Sequence, residues 1–410
     1  MKNLKKDFIE KAGLEMSVTL KEKGKLDPLK VFIKVTAAFL VSVFSRKNEQ
    51  KKIALVGGNL GEKYEDNAAI FHTYLHNHHA DQVTAYWMYD PKTSYATDGQ
   101  IPNAVPLGSF RNYLLFFQAD YTFHGHSLMY DIAPSVDKFL FLNRKTIITH
   151  VSHGIEGFKK ILIQKEDVPL LKRTNYFNCA SVYEKDLKLN EWKIPEHKLI
   201  VTGLPRFDRY AHIKPAKEMK NILMMMTWRE WLFDLSEEEF MQSAYFKNTY
   251  GLISHPGIRE LIQQNGLKMQ ITLHPFMKKF KKHFVGLADP ASGIEFLSST
   301  NPSISQAIVD NDMLLTDITS VSWDFLYLNK PIIFNMFDRD EYLAQRGTYL
   351  SLETDLYGYK ADTIEEVYAY LKKIVEEGIT TNEWFPKATD YIDYFDHQNC
   401  QRLAKRVLGV

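Results

Sequence analysis

From Lys52 onward, short apolar runs recur at intervals that each leave room for a helix, and this spacing restricts the fold more than any other feature of the chain. Residues 53–56, 83–88, 121–123, 146–149, 176–179 and 199–202 form one series of strand-like runs, with helical patterns at 66–76 and 110–117. A second series follows Pro205, at 221–226, 269–273, 313–315 and 332–334. Residues 363–377 read as a helix, because Ile364, Val367, Leu371 and Ile374 share one face. Short strands joined by helices predict parallel sheets covered on both faces. With 410 residues, and neither a repeat nor a low-complexity linker, the two series predict an α/β chain of two doubly wound, Rossmann-like domains facing a central cleft. Ligands of such sheets bind beyond the carboxyl ends of the strands, so residues just after each run are the ones that matter.

Composition excludes several classes. The chain is 45% hydrophobic and 25% charged, as folded proteins are, and its net charge of +1 gives no basis for a nucleic-acid partner. Two isolated cysteines, Cys179 and Cys400, outline neither a disulfide framework nor a zinc site, and they fit a reducing cytosol. The charged N-terminus does not read as a secretory signal. Lysines crowd the first 34 residues and lead into the apolar run 35–44, closed by Arg46, Lys47, Lys51 and Lys52. That run is shorter than the roughly 20 apolar residues a spanning helix needs. Two readings fit it: a basic, apolar arm lying on an anionic membrane face, or a helix docked on the protein's own core.

Polar residues do cluster after the runs. Leu314 and Leu315 deliver Thr316, Asp317, Ile318, Thr319 and Ser320 to a helix start that continues through Ser322, Trp323 and Asp324. A hydroxyl-rich helix N-terminus seats anions, although Asp317, Thr319 or Ser320 can equally serve as simple caps. His153 and Gly154 follow run 146–149, and His274 follows run 269–273 with Pro275 behind it. Each histidine is a candidate general base, with a structural histidine as the alternative reading. Arg206 and Asp208 occupy a rigid turn after Gly203, and Thr227, Trp228 and Arg229 follow run 221–226. Arginine suits phosphate, while an Arg206–Asp208 salt bridge at the domain junction is the other option. His124-Gly125-His126 reads as structural or cleft-lining. Asp310-Asn311-Asp312 and Asp338-Arg339-Asp340 read equally as turn chemistry. No cofactor is expected and no metal-ligand set is read, the residues arguing neither for nor against a divalent metal. Gly57-Gly58-Asn59-Leu60-Gly61 lacks dinucleotide spacing, and neither a nucleoside-triphosphate loop nor a Gly-x-Ser-x-Gly elbow is present.

In this order the blocks resemble the CDP-glycerol glycerophosphotransferase family, which builds teichoic acids and related capsule polymers. The matching residues are Gly61–Asn67, Ser152-His153-Gly154, Gly203–Asp208, Met226–Arg229, Leu273-His274-Pro275, Thr316–Ser320, Asp324, Asn329-Lys330-Pro331, Asp340-Glu341-Tyr342 and Arg346-Gly347. They extend over roughly residues 53–360. The resemblance implies a fold of the B type found in many glycosyltransferases, with a CDP-alditol held between the domains. It implies His153 as the base and His274 as a pyrophosphate ligand or leaving-group acid. Gly154, Arg206, Asp208, Thr227, Arg229, Asp317, Thr319, Ser320 and Asp324 are then the donor's phosphate and nucleotide ligands. Departures fall at Ser152, where the family usually has Trp, at Ile318 and Thr319 for Tyr-Ser, and at Phe207 for Asn.

The division implied is an arm at 1–50, an acceptor domain at 51–205, a CDP-alditol-binding domain at 206–380, and a C-terminal helix within 381–410 packing back on the first domain. The reaction implied is transfer of an alditol phosphate, glycerol phosphate foremost, to a hydroxyl of a lipid-linked polymer acceptor with release of CMP. The place implied is peripheral, on the cytoplasmic face of the membrane. A nucleotide-sugar glycosyltransferase, a CDP-ribitol enzyme and a non-catalytic membrane organiser are the rival readings.

Overall fold

The computed structural model describes residues 28–45, 51–96, 99–163, 167–214, 218–297, 303–378 and 382–410. The lysines before residue 28, together with Arg46 and Lys47, lie outside the described residues.

Thirteen strands form two sheets among the described residues. The first contains β1 (Lys52–Gly57), β2 (Val83–Tyr89), β3 (Ala104–Pro106), β4 (Tyr121–His124), β5 (Ile147–His150), β6 (Tyr176–Cys179) and β7 (Leu199–Val201), in the order β3-β2-β1-β4-β5-β6-β7. The second contains β8 (Asn221–Met225), β9 (Lys268–Thr272), β10 (Ile294–Phe296), β11 (Met313–Thr316), β12 (Ile332–Asn335) and β13 (Tyr359–Ala361), in the order β10-β9-β8-β11-β12-β13. All ladders between these strands are parallel. Every residue of β11 and β12 is buried, which is why those strands read as unbroken apolar runs rather than alternating ones. The sequence pattern misses β3, β10 and β13. Each has only three residues and sits at a sheet edge, where one flank is wet and no apolar run is required.

The strand order reverses direction between β1 and β4 in one sheet and between β8 and β11 in the other. These switch points open crevices at the carboxyl ends of the strands. The two domains are joined by one apolar core: Ile155, Phe158, Leu204 and Phe207 from first-sheet loops pack with Leu314, Trp323, Phe334 and Tyr357. The Phe158 ring lies 5.6 Å from Trp323 and 5.9 Å from Phe334, so the loop after His153 is wedged into the second domain. Burial of such a ring contributes roughly 1.5–3 kcal/mol.

The helix Asn399–Leu408 places Cys400, Leu403, Ala404 and Val407 on one face, and that face packs with Ala54, Val56 and Phe71 of the first domain. At the other end of the chain, the helix Pro28–Phe44 buries Val31, Val35 and Ala38 against the first-domain core and crosses the helix Phe110–Gln118. Docking on the protein's own core is therefore observed. The opposite side of the helix leaves Leu29, Phe32, Ile33, Leu40 and Phe44 exposed. No helix among the described residues is long and apolar enough to cross a membrane.

Candidate active site

Both switch points carry polar residues, and the loop after β5 brings them together. Ser152, at φ 65°, turns the chain so that the His153 side chain stands exposed in the cleft. The turn is pinned from several sides. Ser152 Oγ donates to the Gly154 carbonyl at 2.7 Å, and Asn67 Nδ2 donates to the Ser152 carbonyl at 3.0 Å. Arg206 reaches in from after β7 and donates to the His153 carbonyl at 2.5 Å and to Asp66 at 3.0 Å, while its other amino group meets Asp324 at 2.7 Å. Asp324 also accepts the Tyr210 hydroxyl at 2.8 Å.

The next residue faces the other domain. A Cβ placed on Gly154 would lie 3.7 Å from Ser320 Cβ and 3.8 Å from its hydroxyl oxygen, so the His-Gly loop lies directly against Ser320 of the second domain. Ser320 is exposed, whereas Thr319 is buried and its hydroxyl accepts the Val321 N–H at 3.4 Å. Of the two hydroxyls, Thr319 shapes the turn and Ser320 offers a donor to the cleft. Ser322 turns away to Tyr357, 2.8 Å off.

His274 follows β9, half-buried, with its ring stacked on Trp228 at 6.4 Å between centroids. Surrounding protein, followed by the charge of Lys159, holds its imidazole down to about 4. His153 is pushed down to about 3, first by the atoms packed around it and then by the charges of His126, Arg206, Lys188 and Lys159. Both rings are therefore neutral at pH 7, the form in which an imidazole accepts a proton. An anionic ligand in the cleft would pull both values upward. Lys159, which acts on both histidines, is itself 2.9 Å from Glu230, and Glu230 meets Arg346 at 2.8 Å.

Besides Arg206, four expected donor ligands are committed to partners within the protein, each for a physical reason. Asp208 does not pair with Arg206. Its carboxylate accepts the Asn399 N–H at 2.9 Å and the Cys400 N–H at 2.7 Å, satisfying the orphan donors at the start of the C-terminal helix. Arg229 is 1% exposed and forms a two-pronged contact with Asp338 at 2.7 and 2.8 Å and an ion pair with Asp317 at 2.8 Å. Asp317 also takes the Thr227 N–H at 2.8 Å. A guanidinium removed from water needs carboxylate partners, and it has found two. Arg229 and Asp317 therefore lock the loop after β8 to the loop after β11, and hold Thr227 and Trp228 beside His274. Asp324 is likewise buried and committed, to Arg206 and Tyr210.

Other residues of the site are given no specific role by the sequence. Asp338 reads there as part of a turn, yet its partner lies 109 positions away. Asp66 and Asn67 secure the His153 turn from the helix Asp66–His78. His126 stacks on His153, with ring centroids 4.6 Å apart and planes 12° from parallel. Its strand-end position after β4 is the signal that points to it, and the adjacency of β4 and β5 is what completes it.

A family profile described as CDP-Glycerol:Poly(glycerophosphate) glycerophosphotransferase matches residues 39–409 of the chain. The chain is 22% identical to the minor teichoic acid biosynthesis protein GgaB of Bacillus subtilis, over 85% of this chain and 39% of that one. It is 22% identical to the teichoic acid ribitol-phosphate polymerase TarL of Staphylococcus aureus, over 74% of this chain and 54% of that one. The teichoic acid glycerol-phosphate transferase of Staphylococcus aureus is 23% identical, over 65% of this chain and 66% of that one. The chain thus spans less than two thirds of the length of these relatives. Among solved structures, that of the wall teichoic acid polymerase TagF superposes with a TM-score of 0.65 at 16% identity, covering 98% of this chain and 97% of that chain. A Staphylococcus aureus MnaA–UDP complex superposes with a TM-score of 0.56 at 16% identity, covering 88% of this chain and 97% of that chain. These likenesses place the fold among the two-domain B-type architectures.

Proposed function

The chain belongs to the CDP-glycerol:poly(glycerophosphate) glycerophosphotransferase family, and on that premise we propose that it moves an alditol phosphate, glycerol phosphate foremost, from a CDP-alditol to a hydroxyl of a lipid-linked acceptor. The observation that carries this reading is the His153-Gly154 loop set against Ser320 of the second domain, with both histidines neutral. In the proposed step His153 takes the acceptor hydroxyl proton as its oxygen attacks the phosphorus bearing the alditol. The bond from that phosphorus to the CMP oxygen breaks, and the neutral His274 supports the departing phosphate as a hydrogen-bond donor. The Ser320 hydroxyl donates to the transferring group, and Thr319 fixes the turn that presents it. Positioning and electrostatic stabilisation account for catalysis in such transfers.

Thr227, within the loops held by Arg229 and Asp317, is assigned to the nucleotide side, and Gly154 to close approach by the phosphates. Arg206 and Asp324 act in this reading by bracing the His153 turn rather than by touching the donor.

Incubation with CDP-glycerol, CDP-ribitol and UDP-sugars, each with a lipid-linked acceptor, tests the reading. Release of CMP from a CDP-alditol is expected, and the preferred alditol is read from the rates. Release of UDP alone would establish the glycosyltransferase alternative, which the likeness to the MnaA–UDP structure keeps in view.

We also propose that the outward face of the helix Pro28–Phe44, with Phe141 from the neighbouring turn, rests on the cytoplasmic face of an anionic membrane. Its support is the exposed apolar side, where Phe44 is 82% and Phe141 is 63% exposed, together with the lysine-rich segment that precedes the helix in sequence. Leu40→Ser combined with Phe44→Ser is expected to lower co-sedimentation with phosphatidylglycerol vesicles several-fold at unchanged thermal stability. Undiminished sedimentation would discard this surface.

A further inference from the structure

Among the described residues, Lys159 is the cation whose charge acts on both His153 and His274, and it does so from the loop that carries His153. The backbone around it is fixed to the second domain. The Gly157 carbonyl accepts the Tyr349 N–H at 2.8 Å, the Phe158 carbonyl accepts the Tyr342 hydroxyl at 3.2 Å, and the Lys160 N–H donates to the Gly347 carbonyl at 3.1 Å. A first-domain lysine is thereby held against the second domain, with its side chain 45% exposed.

Its ammonium lies 2.9 Å from Glu230 Oε1, while the other oxygen of that carboxylate takes the Arg346 guanidinium at 2.8 Å. Glu230 stands two residues beyond Trp228, whose ring stacks on His274, so the ammonium is parked against the loop that flanks His274. The three groups differ in how freely they can change partner. The Glu230 and Arg346 side chains are only 11% and 12% exposed, and a charge so enclosed is costly to leave unmatched. Lys159 is far more open, and an ammonium on a flexible four-carbon stem can be handed from one anion to another. When Lys159 leaves the carboxylate, Glu230 keeps Arg346, so the exchange strands no enclosed charge.

We propose that Lys159 is a ligand of the donor's diphosphate and that Glu230 holds it in reserve until the donor binds. The assignment rests on the transfer reading above and adds to it a residue and a resting state. Donor phosphate replaces the Glu230 carboxylate on the ammonium, and Arg346 stays on Glu230. No covalent bond changes; one ion pair takes the place of another. Because Lys159 belongs to the same loop as His153, this contact ties a donor seated beside His274 to the loop that carries the base. Carboxylate and phosphate compete for one ammonium, so the resting pair lowers donor affinity by the fraction of lysine it occupies.

Calorimetric titration of the full chain with CDP, and with cytidine as the control that lacks phosphate, tests the assignment without turnover. Lys159→Met keeps the apolar stem and removes the charge. It is expected to weaken CDP binding by about tenfold or more, the size of a charge-assisted hydrogen bond, and to leave cytidine binding within about twofold. Lys159→Arg is expected to recover part of the loss. Glu230→Gln keeps a carbonyl oxygen for Arg346 and frees the ammonium, and is expected to tighten CDP binding by about two- to fivefold, the worth of a partly exposed ion pair. In the double variant that gain should vanish. A bridge that merely joins the domains predicts instead that both single variants lower the unfolding temperature and shift CDP affinity in the same direction. That pattern overturns the proposal, as do unchanged CDP affinity in Lys159→Met, equal losses of CDP and cytidine, or a Glu230→Gln that binds CDP no tighter. A gain that survives in the double variant overturns it too, by assigning the phosphate to Arg346. The transferase reading fails separately, if the wild type binds CDP yet releases no CMP from any CDP-alditol; the CDP titrations then decide the role of Lys159 by themselves. A wild type that binds no CDP overturns both.

Discussion

His153→Ala is expected to lower CMP release from the preferred CDP-alditol by about 10²–10⁴-fold or more, the contribution of a positioned general base. The fold should not notice. The ring is exposed, and the bonds that secure the loop run through the Ser152 and His153 backbone carbonyls, the Ser152 hydroxyl, Asn67 and Arg206. Stability by urea titration should therefore stay within about 0.5 kcal/mol of wild type, as for surface changes. Donor KM should move little, because the base acts on the acceptor. His274→Ala should differ in raising donor KM as well as lowering kcat. The pH profile supplies a further check. A base must be neutral, so activity falls as pH drops through its pKa. Without a donor the surrounding protein and positive neighbours hold His153 below its ordinary value, whereas the bound anionic donor favours the protonated ring. The acid limb of kcat is therefore expected at higher pH than the acid limb of kcat/KM. Normal turnover by His153→Ala would remove it from the mechanism.

Arg229→Met is expected to act on stability rather than on donor affinity, with a loss of about 3–5 kcal/mol. The substitution leaves Asp317 and Asp338 buried, 0% and 8% exposed, without the guanidinium that compensates them. Burial already raises the Asp317 carboxyl above its usual range, with Arg229 opposing the rise, so removal of the cation drives it towards protonation or local unfolding. Adding Asp317→Asn and Asp338→Asn to Arg229→Met should recover part of the loss, because the buried charges go with their partner. Urea unfolding of the three proteins measures both effects. Undiminished stability with a sharply raised donor KM would instead restore Arg229 to the donor's phosphates.

The contrast between these two residues shows how much of the site was legible in advance. His153, His274 and Ser320 were candidates because they follow apolar runs in a chain whose strand spacing forces a parallel sheet, and loops at carboxyl strand ends face the crevice. Arg229, Asp317, Asp208 and Asp324 stand in the same loops by the same local pattern, and the pattern cannot separate them from the first group. Their partners are distant: Arg206 meets Asp324 across 118 positions, and Asp208 meets Asn399 across 191. A charge that becomes buried must be paired, and which carboxylate arrives is settled by the packing of separate elements.

By itself, then, the sequence determined the two parallel sheets and the strand-end loops to which the chemistry is assigned, because apolar periodicity and strand-end position are local properties of the chain. The tertiary structure alone decided which polar residues face the cleft and which fasten its walls. It also decided that His126 lies on His153, since that stack depends on β4 and β5 being hydrogen-bonded neighbours rather than on any spacing between the two residues.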